Sequence, residues 1–441
     1  MATPETFDLP AEEIELPFSI LDTDLYKLTM QNAVLRHFHD AQVVIKFTNR
    51  APQMRFTREC FDWIQERVNR LGELRLTNEE RKRLEAACPY FSASYLDFLA
   101  SIQLHPKQQV ELSFLPGADG AGEIACRIEG LWRECILYEV PIMAIISEGY
   151  FKFVDTDWTM DGQFELAKKK ALDLLSPPDG INSIAFSEFG TRRRRSFAVH
   201  DVVMRGLAAG HEEWKAAGGK GAGLAGTSNV YLALKYGIKP SGTVAHEWIM
   251  AIGASFGYVD ANSRAMDMWE AVYPANVKDG LPLIMLTDTY TAEVFFREFC
   301  SDPARALRWG ALRQDSGDPF TFVRQAKAAW EEVARLAGTE GPALAGKRVV
   351  FSDALDVVRS INLQKGCDEI GLGAAFGIGT FLTNDFVKKS DPTQTSKPLN
   401  MVIKLSQING QDCVKLSDDK GKHTGTPSEV ARAQRELGLA P

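Results

Sequence analysis

The chain reads as an α/β protein whose parallel strands are linked by helices, and three features predict this. From about residue 183 short apolar stretches recur, each followed by a polar or glycine-rich turn and then a helical segment; parallel strands with helical crossovers produce this repeat. Charged and hydroxylated residues collect in those turns, where an α/β barrel or an open α/β sheet carries its ligand site. At 441 residues the chain exceeds one ordinary core, so about two domains are expected.

Taken in order, residues 1–17 read as a loose leader. Helical patterning begins near Asp24, with Leu25, Leu28, Met30 and Leu35 among polar neighbours, and Val43 to Phe47 reads as a strand. Residues 56–105 are charged and amphipathic, with Phe61, Ile64, Val68 and Leu71 at helical spacing. Glu123–Leu131 and Cys135–Val140 are expected as strands around a turn at Trp132-Arg133. Pro177-Pro178, followed by Asp-Gly, marks a boundary or loop. The recurring stretches are Ser183–Phe186 before Ser-Glu-Phe-Gly, Leu281–Leu286 before Thr-Asp-Thr-Tyr, and Gly310–Leu312 before Arg-Gln-Asp-Ser-Gly. Arg348–Phe351 then precedes Ser-Asp-Ala-Leu-Asp, and Ala374–Phe376 precedes Gly-Ile-Gly-Thr. Residues 400–417 return to hairpin-like strands, and 427–441 read as helix.

Composition narrows the function. Apolar residues make up 45% and charged residues 24%, as in a soluble globular protein. A formal charge of −8 argues against a general nucleic-acid binder, while leaving room for a local basic pocket. The seven cysteines (60, 88, 126, 135, 300, 367, 413) are scattered without a C-x-x-C pair, which favours reduced thiols over a disulfide framework or structural zinc. Met1 to Glu15 carries acids and no apolar segment, so no secretory signal is expected. No apolar run nears the ~20 residues of a membrane helix. A cytoplasmic protein is expected.

The charged turns supply the candidate chemistry. Residues 312–319, Leu-Arg-Gln-Asp-Ser-Gly-Asp-Pro, set Arg313, Asp315 and Asp318 among small residues. Arginine offers a planar fork for phosphate or carboxylate, aspartate can hold Mg2+, and Ser and Gly bring donors close to a phosphate. A turn with a surface ion pair is the competing reading. Arg192 to Arg195 form a run of the kind that is usually a solvated face. Neighbours on a helix point different ways, so one or two could face a site, and Arg192, nearest the strand end, is the candidate. Phe189 is either core or a ring that stacks on a planar ligand. His246, after a Gly-Thr turn and near an expected helix N-terminus, is either a satisfied structural residue or a nucleophile or proton shuttle. Phe376-Gly-Ile-Gly-Thr380 has the composition of a phosphate-binding turn, against ordinary strand-to-helix packing. Gly221-Ala-Gly-Leu-Ala-Gly226 fits G-x-G-x-x-G, yet Met204 to Gly218 before it reads as helix and glycine-rich loop, not the strand a dinucleotide site needs. No G-x-x-x-x-G-K-[ST] occurs, so any ATP binds without a P-loop.

Together these pieces resemble the nicotinate phosphoribosyltransferase family. The matching segments are Asp22-Thr-Asp-Leu-Tyr-Lys-Leu-Thr-Met30, Glu188-Phe-Gly-Thr-Arg-Arg193, Gly226-Thr-Ser-Asn229, Gly242-Thr-Val-Ala-His-Glu-Trp248, Arg313-Gln-Asp-Ser-Gly-Asp318 and Gly377-Ile-Gly-Thr380. They run in family order across about residues 20–410. The resemblance implies an irregular α/β barrel (146–394) with a smaller α/β domain built from both chain ends (1–145, completed by 395–441). It implies transfer of a phosphoribosyl group from phosphoribosyl pyrophosphate to nicotinate, releasing pyrophosphate, in NAD biosynthesis. Coupling to ATP hydrolysis is implied through phosphorylation of His246, with Mg2+ as cofactor and ATP as co-substrate. By resemblance Tyr26 and Phe189 flank the pyridine, and Ser228, Thr243 and Arg313 contact nicotinate. The resemblance also implies that Arg192, Asp315, Gly377, Gly379 and Thr380 hold the phosphoribosyl donor, with Asp315 and Asp318 as candidates to organise Mg2+ or ribose hydroxyls. The implied partners are these small molecules, with no nucleic acid and no membrane. A homodimer is among the implied assemblies, and whether Tyr26 serves its own or a partner's site is open. Two alternatives stand beside this. Nicotinamide phosphoribosyltransferases carry an acid just after the Gly-Thr that corresponds to Gly226-Thr227, where this chain has Ser228. An NAD-dependent oxidoreductase would use residues 221–226.

Overall fold

The structure is a computed structural model that describes residues 6–339, 342–419 and 421–439. Strands β1 (Gln42–Asn49), β2 (Val110–Pro116) and β3 (Gly122–Leu131) come first. Six short strands follow: β4 (Ala185–Glu188), β5 (Gly223–Thr227), β6 (Ile284–Leu286), β7 (Ala311–Gln314), β8 (Arg348–Phe351) and β9 (Gly373–Ile378). A ribbon of β10 (Phe386–Val387) and β11 (Thr395–Ser396) precedes the hairpin β12 (Met401–Ile408) and β13 (Gln411–Asp412).

The six short strands form one parallel sheet in the order β5-β4-β9-β8-β7-β6. That order is chain order read around a ring, with β9 returning to β4 and a single ladder missing between β5 and β6. An open doubly wound sheet reverses direction at a switch point; a ring does not. The sheet is therefore an irregular α/β barrel with one open seam. Residues 239–241 lie along that seam: Thr227 N–H donates to Lys239 O and Ser241 N–H to Thr227 O, at 3.2 and 2.8 Å. Gly226 permits this approach, because an added Cβ would meet Lys239 O.

The other sheet is antiparallel, β13-β12-β1-β3-β2, and joins strands from both chain ends. Val43 and Ile45 of β1 and Ile403 and Leu405 of β12 are buried, whereas Lys46 and Lys404 are not. The helix Leu25–His37 is tied to the barrel through a short pairing with the segment after β5: Leu25 N–H donates to Ser228 O and Val230 N–H to Thr23 O. Phe38, Trp132, Trp248 and Trp269 form a chain of ring contacts 5.2–5.9 Å apart that packs the helix His246–Phe256 against the antiparallel side.

Two expectations change. Cys135–Val140 is not a strand: Trp132–Cys135 is one helical turn and Glu139–Phe153 a helix with eleven buried residues. A continuous apolar run does not distinguish a buried strand from a buried helix; Pro141 favoured the latter, fitting a first helical turn and weakening a strand. The leader is anchored at Phe7, which stacks on Tyr231 at 4.6 Å, and at Ala11 and Leu16, which are buried; its first five residues lie outside the described ones. Gly223 and Gly226 of the G-x-G-x-x-G match lie in strand β5 itself.

Candidate active site

A cavity of about 750 Å3 opens at the carboxyl ends of β4, β7, β8 and β9, beside the seam. Ile45, Arg50, Val402 and Lys404 close it from the antiparallel sheet. Tyr26, Phe189, Arg192, Ser228, Thr243, His246, Arg313, Asp315, Gly377, Gly379 and Thr380 all line it. Tyr26 reaches it from its own chain. Asp318 does not line it: its carboxylate accepts from Thr321 N–H and caps the helix Pro319–Ala337, the role Asp-Pro fills at a helix start.

Strand β4 ends on Glu188, which is fully buried. Its carboxylate accepts from Gly190 N–H, Thr227 Oγ1 and His200 Nε2, the latter two at 2.5 and 2.8 Å. Burial opposes this charge, but His200 and the hydrogen bonds outweigh it and hold the carboxyl below its usual range. The turn that Glu188 fixes presents Phe189 and Arg192 to the cavity. Gly377 faces that ring so closely that an added Cβ would fall within it. Across the slot, the Arg192 guanidinium lies 5.8 Å from the Tyr26 ring centre. Tyr26 donates to Glu139 Oε1 at 3.1 Å. Lys27 joins Glu139 and Glu247 at 2.5 and 2.6 Å, and their charges raise its ammonium above its ordinary value despite burial.

The arginine run is not solvated. Arg194 is fully buried and grips Asp22 through two bonds of 2.7 and 2.6 Å. Arg195 is also buried, sits 3.7 and 4.2 Å from the ring centres of Phe151 and Phe386, and donates to Ser396. Arg192 and Arg193 both reach the cavity wall. A short 3-10 turn over Thr191–Arg193 followed by extended backbone fans the four side chains apart.

Arg313, in β7, donates to Thr243 Oγ1, Ser352 Oγ and Asp315 Oδ1 at 2.8–2.9 Å. His246 begins the helix His246–Phe256. Its Nδ1 lies 3.1 Å from Thr289 Oγ1, and its Nε2 faces Lys415 Nζ at 3.0 Å, Asp315 Oδ2 at 3.1 Å and Asp288 Oδ1 at 3.6 Å. Burial and the Lys415 ammonium hold the imidazole below its ordinary value. Burial alone would raise Asp315, but Arg313 and His246 hold it well below the carboxylate range. Ser228 donates to Asp24 Oδ1 at 2.7 Å, and burial pushes that carboxyl up.

Two groupings have the chemistry of a cation site. His246, Asp288 and Asp315 bring ligand atoms within 4.8 Å of one another, but Lys415 (2.8 Å from Asp288) and Arg313 already neutralise them. Asp353, also on the cavity wall, is raised by burial and by the charge of Asp315. Two hard carboxylates that repel each other fit Mg2+.

Sequence reasoning missed Asp24, Arg50, Glu139 and Lys404 in the wall, and Asp288, Thr289 and Lys415 around His246. Asp288 and Thr289 stood in the polar turn after the β6 stretch, a readable signal. Lys404 and Lys415 carry none, since lysine in a half-buried hairpin is ordinary.

A barrel whose strand ends gather aromatic faces, guanidinium groups and a glycine-rich turn defines an α/β enzyme for a planar anion and a phosphate ester. The model of the nicotinate phosphoribosyltransferase (NAPRTase) family matches residues 184–440, and that of its N-terminal domain residues 21–147. The nicotinate phosphoribosyltransferase of Saccharomyces cerevisiae is 41% identical, covering 95% of each chain. That of Methanosarcina mazei is 40% identical, covering 95% of this chain and 98% of its own. The crystal structure of a putative nicotinate phosphoribosyltransferase from Saccharomyces cerevisiae superposes with a TM-score of 0.88 at 38% identity, over 97% of this chain and all of that one. The Porphyromonas gingivalis enzyme gives 0.82 at 36%, with the same coverage. The chain belongs to the nicotinate phosphoribosyltransferase family.

Proposed function

We propose that this chain transfers the phosphoribosyl group of phosphoribosyl pyrophosphate to the ring nitrogen of nicotinate, giving nicotinate mononucleotide and pyrophosphate for NAD biosynthesis. The observation that carries the reading is the convergence of Tyr26, Phe189, Arg313 and the Gly377–Thr380 turn on one cavity. The pyridine lies between Tyr26 and Phe189, and Arg313 with Thr243 takes its carboxylate. The ring nitrogen supplies the electron pair for the new N–C1′ bond, while the C1′–O bond breaks and pyrophosphate leaves with its pair. No base is needed. Catalysis is positioning of the two substrates plus stabilisation of the leaving charge by Arg192 and the glycine turn. Asp315 and Asp353 would hold Mg2+, which supplies charge neutralisation on the pyrophosphate.

ATP coupling is part of the proposal. A neutral His246 imidazole is the phosphoryl acceptor: an N–P bond forms, the Pβ–O–Pγ bridge breaks, and ADP leaves. The low pKa of this histidine and Lys415 beside it support the role, one by keeping the lone pair free and the other by countering phosphoryl charge. The free cysteines support a cytoplasmic placement, and no helix among the described residues is long and apolar enough to cross a membrane.

One observation favours a second substrate. Ser228 replaces the acid of the nicotinamide enzymes, but Asp24 brings a carboxylate to the same place, so nicotinamide is the competitor to test. The oxidoreductase reading loses its basis, because residues 223–226 are a strand. Pyrophosphate release should be measured with nicotinate, nicotinamide and quinolinate, with and without ATP. Release with nicotinate, stimulated by ATP, is expected; no release with any pyridine would overturn the reading.

A further inference from the structure

Two lips of the cavity leave different strands: Phe189 and Gly190 follow β4, and Ser228 follows β5. Both hang on Glu188. Its Oε1 accepts from Gly190 N–H on the first lip. On the second, its main-chain oxygen accepts from Ser228 N–H at 2.8 Å and its Oε2 from Thr227 Oγ1 at 2.5 Å. Thr227 Oγ1 in turn accepts from Asn229 N–H at 3.1 Å. One carboxylate therefore fixes the backbone of both lips. What orients that carboxylate is His200, in the helix Phe197–Ala216. Its ring is fully buried and lies outside the cavity wall, with Nε2 2.8 Å from Glu188 Oε2. Facing an ionised carboxylate, Nε2 is the donor in either protonation state of the ring. Among the described residues Nδ1 has no hydrogen-bond partner. A buried nitrogen left unpaired costs free energy that an apolar side chain of similar size would not. What the imidazole adds over such a side chain is the one directed bond to Glu188. The neighbouring buried charges are matched separately, Arg194 gripping Asp22.

We propose that His200 is a positioning residue for the pyridine slot: by orienting the Glu188 carboxylate it sets the Phe189 ring and the Ser228 lip together, without touching substrate. The assignment of Phe189 and Ser228 to nicotinate rests on the proposed function; the shared anchor of the two lips rests on the hydrogen bonds alone. Without the imidazole, Glu188 loses the partner that offsets its burial. The carboxylate is then free to turn or to take up a proton, and Gly190 and Thr227 lose a common acceptor. A binding slot works only when its walls are held to within a fraction of an ångström by the residues behind them, so a looser pair of lips grips the pyridine less well.

Hydrogen–deuterium exchange of the full-length protein reads this anchor without any substrate. His200→Leu should speed exchange by about tenfold in the peptides carrying Gly190 and Ser228, both together, while the helix His246–Phe256 keeps its protection. His200→Gln retains an N–H donor and should stay within about threefold of wild type. Should His200→Leu fail to fold, the double variant His200→Leu/Glu188→Gln, which buries no unpaired charge, carries the same test. Steady-state kinetics then separate positioning from plain destabilisation. An enzyme that is only less stable loses active sites, hence kcat, at unchanged KM; a misplaced slot raises the KM for nicotinate, by about tenfold in His200→Leu, with recovery in His200→Gln. Unchanged exchange of both lips in the folded His200 variants would overturn the inference, as would an unmoved nicotinate KM when the lips loosen. A wild type that releases no pyrophosphate with any pyridine overturns the proposed function instead, and the exchange pattern still decides whether His200 anchors the lips.

Discussion

Arg192, Arg193, Arg194 and Arg195 are adjacent in sequence and placed in two different environments. Arg194 is sealed against Asp22 and Arg195 among aromatic rings, whereas Arg192 reaches the substrate cavity. The sequence made Arg192 a candidate through its nearness to a strand end, but long-range partners such as Asp22 and Ser396 could not be read from local spacing. Arg194→Ala should therefore cost about 3–5 kcal/mol of stability, because it leaves Asp22 buried and unpaired; denaturant unfolding measures this. Arg192→Ala should melt near wild type and raise KM instead, and the opposite pattern would reverse the assignment. Arg313→Ala removes a charge-assisted contact worth about 1.5–3 kcal/mol, so substrate affinity should drop about ten- to a hundredfold with the fold retained. His246→Ala should abolish acid-labile, base-stable labelling from γ-labelled ATP. The lowered pKa of His246 sets the sign of its pH dependence: the reactive neutral form persists below the ordinary histidine value near 6.5. Labelling of wild type should thus hold at pH 6 and fail only at lower pH. For stability, the unfolded chain binds a proton there more readily than the fold, so stability falls as pH drops through and below 6.5.

At the scale of elements, the recurring strand–turn–helix pattern was legible because short buried strands leave apolar stretches bounded by polar turns, and five of the six barrel strands fall on those stretches. The exception, β5, has glycines where neighbours crowd it, Lys239 O of the seam at Gly226 and the His211 ring at Gly223, so it carries no apolar signature. The Glu139–Phe153 helix was misread for the converse reason: buried on most sides, it shows no amphipathic period. The segment after β13 was expected only as hairpin. It returns to the barrel instead, with Leu416 N–H donating to Thr289 O and Asp418 accepting from Ala292 N–H. Burial pushes Asp418 up to about 6. Its folded value exceeds the unfolded 3.8, so the fold loses stability as pH rises through that interval. Asp418→Asn keeps an acceptor for Ala292 and removes the charge. It should raise stability at pH 8 by about 1 kcal/mol, after discounting for partial exposure, and match wild type below pH 4. Thermal melts at the two pH values check this; a variant less stable at pH 8 would mean that the charge itself is needed.

Across the whole molecule, the cavity depends on residues that no local pattern links. Asp24 and Tyr26 arrive from the N-terminal helix, Lys404 from the antiparallel sheet, and Ser228 from the end of β5. This bears on which pyridine is accepted. The segment Gly226–Asn229 contains no acid, which alone would disfavour nicotinamide, since its NH2 needs an acceptor. The fold brings the Asp24 carboxylate there, but its Oδ1 already accepts from Ser228 and its Oδ2 lies 3.6 Å from Arg192 Nε. The acid is present and occupied, so nicotinate should keep the advantage. A site that would leave the Arg313 charge without its carboxylate discriminates strongly, and at least ~100-fold in kcat/KM is expected, or roughly 2.7 kcal/mol. Ser228→Ala removes the donor that occupies Asp24. The freed oxygen can then accept from an amide NH2 and repels a carboxylate, so the preference should shrink by about tenfold, the worth of one hydrogen bond to a charged group. Steady-state kinetics with both pyridines measure the ratio. A preference that stays the same or widens in Ser228→Ala would show that Asp24 does not face the pyridine substituent.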